Sequence, residues 1–80
     1  MNNDEVSSIS GDVIETLGQF LRHKSEKIRE LVLLELGNIG AEAAGALEKV
    51  GKCLWDGDSS VRSAACWVIA RIGQKAGRKI

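Results

Sequence analysis

The sequence predicts an all-α fold: an α-α superhelix of two antiparallel helical hairpins stacked side by side, four helices in all. Three observations lead there. Part of the chain recurs at a fixed offset of 33 residues, so that Ser25-Glu26-Lys27-Ile28-Arg29 lies under Asp58 to Arg62, and Leu36-Gly37-Asn38-Ile39-Gly40 under Ile69 to Gly73. A fixed period with apolar positions in phase is the mark of a repeat architecture. Within each copy the apolar residues fall at helical spacing, bounded by capping and turn residues. No β-branched alternation or Asn-Gly pair marks a strand, and the 80 residues contain no proline to break a helix.

The elements follow in order. The first helix is expected over residues 10–22, where Ile9, Val13, Leu17, Phe20 and Leu21 form a stripe widened by Ile14, and Ser10 or Asp12 can serve the first-turn amides. Arg22-His23-Lys24-Ser25 interrupts the pattern. Ser25 is the expected N-cap of a second helix from Glu26 to Gly37, striped by Ile28, Leu31, Val32 and Leu36 and ended by Gly37 to Gly40. A third helix, Ala41 to Trp55, repeats the first stripe with Ala46, Leu47, Val50, Cys53 and Leu54, and its opening turns are unusually small. Asp56-Gly57-Asp58 is a tight turn, and Asp58 is the expected N-cap of a fourth helix from Ser59 to Ile72 that Gly73 stops. We read a single domain over residues 1–80, with repeats at 9–40 and 41–73 and a basic tail at 74–80.

Bulk properties narrow the function classes. With 44% hydrophobic and 28% charged residues, the chain has an ordinary globular composition. Eleven basic and eleven acidic side chains cancel. No net charge therefore argues for nucleic acid or an anionic membrane. The signs are nevertheless separated: Asp4, Glu5, Asp12 and Glu15 lie in the first quarter, and Arg62, Arg71, Lys75, Arg78 and Lys79 in the last. No signal-like leader or apolar run of ~18 residues is present, so a cytoplasmic protein is expected.

Chemistry finds few footholds. His23 is alone, in a turn beside Arg22 and Lys24, and no cysteine or carboxylate stands at metal-ligand spacing from it. Cys53 and Cys66 fall within apolar stripes and are read as small buried hydrophobes that do not pair. The glycines are scattered at helix ends and surfaces rather than gathered in a phosphate-binding loop. We expect no catalytic residue, no cofactor and no metal, and hence a protein that is not an enzyme. Glu35 is an oddity. It takes the place of Val68 in the middle of an apolar stripe, so it must be paired, exposed at an uncapped end, or used by a partner.

Asp58-x-x-Val61-Arg62-x-x-Ala65, followed by Ile69-x-x-Ile72-Gly73, resembles the HEAT-like repeats first associated with phycobilisome lyases. The first copy matches with Ser25 in place of the aspartate, Ile28-Arg29 for Val-Arg, Val32 for the alanine, and Leu36 to Gly40 intact. The likeness covers roughly residues 10–73. It implies a short HEAT-like solenoid in which Arg29, Asp58, Arg62, Gly40 and Gly73 are structural, each arginine joining an aspartate of a neighbouring repeat or turn, with Asp56 and Asp58 both open as partners. It also implies that the second helix of each hairpin lines a concave side where partners dock. On that sector stand Glu30, Leu34 and Asn38, and their counterparts Ser63, Trp67 and Arg71.

The resulting expectation is a non-enzymatic protein-binding or scaffold module acting through Leu34, Trp67 and their polar neighbours. With only two repeats, both ends of the stack should expose apolar surface and favour a protein partner or self-association. An alternative is nucleic-acid binding along a basic edge of Arg62, Arg71, Lys75, Arg78 and Lys79. A second alternative, from the resemblance alone, is an accessory subunit of a bilin lyase, since the chain is far shorter than a chromophore-enclosing solenoid.

Overall fold

The computed structural model of the chain describes residues 10–75, with side chains through residue 73. Helix α1 (Gly11–Gln19) tightens into a 3-10 turn at Phe20–Arg22, and α2 (Glu26–Ile39) returns beside it. A 3-10 segment (Gly40–Ala46), the short helix α3 (Leu47–Lys52) and a second 3-10 turn (Cys53–Trp55) lead to α4 (Ser59–Lys75). Among the described residues there is no strand. Helix α1 packs on the Gly40–Ala46 segment and α2 packs on α4, so like elements of the two hairpins lie side by side. The basic tail falls largely outside the described residues.

The helix starts follow from local chemistry. Ser10 Oγ accepts from the amide of Val13, Ser25 Oγ from Ile28, and Asp58 Oδ1 from Ser60 and Val61. Each serves an amide that the first turn cannot satisfy. The ends differ from expectation. Helix α2 runs through Gly37 and stops at Gly40, whose φ of +84° is the only positive φ among the described residues. Helix α4 runs through Gly73 to Lys75 rather than stopping at the glycine.

The expectation of four full helices is corrected to three. The segment over 41–55 is helical throughout but holds only six residues of regular α-helix, between two 3-10 stretches. The cause lies in its small side chains. In a 3-10 helix residues i and i+3 eclipse, and Gly40, Ala43 and Ala46, three apart, are all buried. No bulky side chain here asks for the wider α-helical stagger.

The core is one apolar cluster shared by both hairpins, in which Leu33, Leu36, Val50, Val61, Val68 and Ile72 are fully buried. Among the described residues no charged or polar side chain is buried with them. Four core assignments change. Leu31 is 54% exposed while Leu33, off the expected stripe, is fully buried. Val13 and Phe20 are likewise exposed, because among the described residues the outward side of the first hairpin has no neighbour. Glu35 is exposed on that same hairpin, which removes the cost of an unpaired buried carboxylate.

Candidate protein-docking face

The second helices of the two hairpins carry three side-chain pairs at equivalent positions: Glu30 with Ser63, Leu34 with Trp67, and Asn38 with Arg71. Ser63 and Asn38 are exposed, Glu30 and Arg71 partly so, and Leu34 and Trp67 are 37% and 38% exposed. Such a half-covered tryptophan offers an apolar anchor that has already lost much of its freedom.

The immobilisation has a specific source. The Trp67 ring lies on Gly37 so closely that a Cβ there would overlap it, 2.8 Å from Cε3 and from Cη2 and nearer still to Cζ3. Only glycine leaves room for the ring on that turn of α2. Arg71 completes the arrangement: its Nε donates to the Gly37 carbonyl at 3.0 Å and its guanidinium lies 5.3 Å from the Trp67 ring centroid, within cation–π range. The Gly37 carbonyl is reachable from outside α2 because its helix-internal partner would lie at residue 41, beyond the end of α2. The sequence treats Gly37 as a helix terminator, whereas it is the floor under Trp67. The signal was present: Gly37 stands at the place of Ala70, one turn from Leu34.

A second constellation holds the turns together. Arg29 sets Nε on Asp56 Oδ2 at 2.8 Å and Nη2 on Oδ1 at 2.9 Å, while its Nη1 donates to the His23 carbonyl at 2.7 Å. The paired fork holds the Asp56 carboxyl below its ordinary range, aided by the Asp58 amide, and raises Arg29 further. Of the two aspartates left open by the sequence, Asp56 takes the arginine and Asp58 caps α4. His23 Nδ1 accepts from the Ser25 amide at 2.9 Å, and Asp56 Oδ1 from the Asp58 amide at 2.9 Å, so two chemically different residues 33 apart build the same turn. Arg62 donates Nη1 to the Asp56 carbonyl at 2.6 Å, as Arg29 does to His23.

The remaining expectations resolve as follows. Cys53 is buried, donates Sγ to the Lys49 carbonyl at 3.7 Å, and has its pKa raised by burial, which keeps it a thiol. Cys66 is exposed, contrary to the reading of both as buried, because its counterpart Leu33 faces the other hairpin and, among the described residues, Cys66 faces none. Trp55 is 85% exposed. Of the proposed basic edge, Arg71 is already bound to Gly37, and Lys75, Arg78 and Lys79 lie outside the described side chains. Among the described residues no group of His, Cys, Asp and Glu could hold a metal ion, and no helix is long and apolar enough to cross a membrane.

The interlocked hairpins coincide with a known pattern. The family described as HEAT repeats matches residues 14–79. This chain belongs to the HEAT-repeat family. Neither the curated proteins nor the solved structures contain a match to it. As a HEAT-repeat protein it is of the kind that generally mediates protein–protein contact as a scaffold.

Proposed function

We propose that this HEAT-repeat protein is a non-enzymatic binding module that docks a protein partner on the α2/α4 face. The observation that carries the reading is the half-exposed pair Leu34 and Trp67, flanked by Glu30, Ser63, Asn38 and Arg71 at repeat-equivalent places. Aromatic and arginine side chains in partly desolvated positions dominate interface energetics, and here both are held before any partner arrives. No other role is supported by chemistry on that face: its side chains offer neither a nucleophile with a base nor a metal-ligand set.

The test must separate docking from folding, because Trp67 also joins the hairpins. Leu34→Glu and Ser63→Glu change the exposed rim and leave the Trp67–Gly37 contact intact. A partner isolated on the wild-type chain from its source cells, then titrated calorimetrically, should bind Leu34→Glu at least about tenfold more weakly. Thermal unfolding of that variant should stay close to wild type. Equal affinity for both chains would discard the face.

A further inference from the structure

The α2/α4 face ends in a guanidinium that is fixed in place but only partly used. Arg71 engages the Gly37 carbonyl through Nε at 3.0 Å and lies 5.3 Å from the centroid of the Trp67 ring. Among the described residues its two terminal nitrogens make no hydrogen bond, and no carboxylate lies within ion-pair reach of it. The contrast with Arg29 is direct, since that side chain uses all three of its nitrogens on His23 and Asp56. An arginine ordinarily gives up side-chain freedom when it takes a ligand, and Arg71 has already lost much of it to its own fold. What remains is a pair of donors spaced for the two oxygens of one carboxylate.

We infer, on the reading that this face docks a protein, that the partner presents a carboxylate to the terminal nitrogens of Arg71, one helical turn from an apolar side chain seated on Leu34 and Trp67. The spacing comes from the helices. Four residues separate Leu34 from Asn38 and Trp67 from Arg71, which is ~6 Å along the axis at about 1.5 Å per residue. The direction comes from charge. Glu30 stands four residues before Leu34, at the opposite end of the face from Arg71, and is only half-covered. A partner segment laid the other way would bring its carboxylate to Glu30, where like charges repel. The same Glu30 opposes a nucleic-acid backbone, whose phosphates would meet it along with the single arginine. The occupant is therefore an acidic and apolar segment of a protein, a preference that the balanced charge of the whole chain conceals.

The test uses the full-length chain to select from a phage-displayed library of random peptides, followed by calorimetric titration of a selected peptide. The selected peptides should carry Asp or Glu close to Leu, Phe or another large apolar residue. Replacing that acid by its amide in the peptide should weaken binding about tenfold or more, and Arg71→Gln in the chain should do the same. Arg71→Lys, which keeps the charge without the paired donors, should recover only part of the loss. The amide change leaves the folded chain untouched, so it reads the contact even where Arg71→Gln loses stability with the Gly37 bond. Both changes together should weaken binding little more than either alone, because they remove one shared contact. Peptides selected without an acid, or an acid whose loss has no effect or adds fully to that of Arg71→Gln, overturn the inference. Peptides that fail on Leu34→Glu yet ignore Arg71→Gln overturn it alone and leave the docking face in place, whereas peptides that ignore Leu34→Glu overturn both. Arg71-dependent oligomers of the wild-type chain would assign the site to a second copy and overturn it as well.

Discussion

Asp56 does three things at once: it takes the Arg29 fork, fixes its own turn through the Asp58 amide, and lends its carbonyl to Arg62. Removing the charge alone, with Asp56→Asn, should cost about 1.5 kcal/mol of unfolding free energy at pH 7 by urea titration. The pH dependence has a definite sign. The carboxyl is depressed in the folded chain from its ordinary 3.8, so its contribution is fully present above that value. It fades as pH falls from ~5 through the lower folded value, where the folded state must take up the proton it resists. The gap between wild type and Asp56→Asn should therefore narrow progressively as pH falls below 3.8; an unchanged gap would mean the ion pair is not its source. At this scale the sequence was legible where chemistry is local. Ser25 and Asp58 cap their helices as expected, each bonding an amide within three residues. The choice of Asp56 for Arg29 was open because both aspartates sit in one turn, and only backbone direction decides which carboxylate faces the first hairpin.

At the scale of elements, two glycines with opposite prospects test the account. Gly37 lies under the Trp67 ring, so Gly37→Ala forces ring or helix to move and should destabilise by about 1–3 kcal/mol. Gly45 is exposed, has open space around its Cα, and does not use a positive φ. Gly45→Ala should accordingly stabilise by about 0.4–1 kcal/mol, chiefly by restricting the unfolded chain. Denaturant titration of both variants checks the pair, and a similar loss in each would contradict the packing described. Helix existence was legible from the apolar period, but helix quality was not. The Ala-rich opening of the third segment reads as a good helix former by propensity. Its tight 3-10 winding comes instead from burial of every third residue against α1 and α4, a tertiary effect that no window of sequence reports. Leu31 and Leu33 show the same limit, since a stripe shared by two faces of one helix does not say which face meets the second hairpin.

For the whole molecule, the claim is that two copies of one helical hairpin form a single cooperative unit, joined where Trp67 rests on Gly37. The period made the stacking legible in advance. What it left open was the asymmetry between ends, because that depends on which positions have a neighbour rather than on which residues fill them. An equilibrium urea unfolding of Trp55→Phe tests the claim most directly. Trp55 is 85% exposed, so its loss costs little and leaves Trp67 as the sole fluorophore, placed at the joint. Tryptophan fluorescence and far-ultraviolet circular dichroism should trace one coincident transition with the same midpoint. A fluorescence change that runs ahead of helix loss would contradict the account, because it would mean the hairpins part while each stays folded alone.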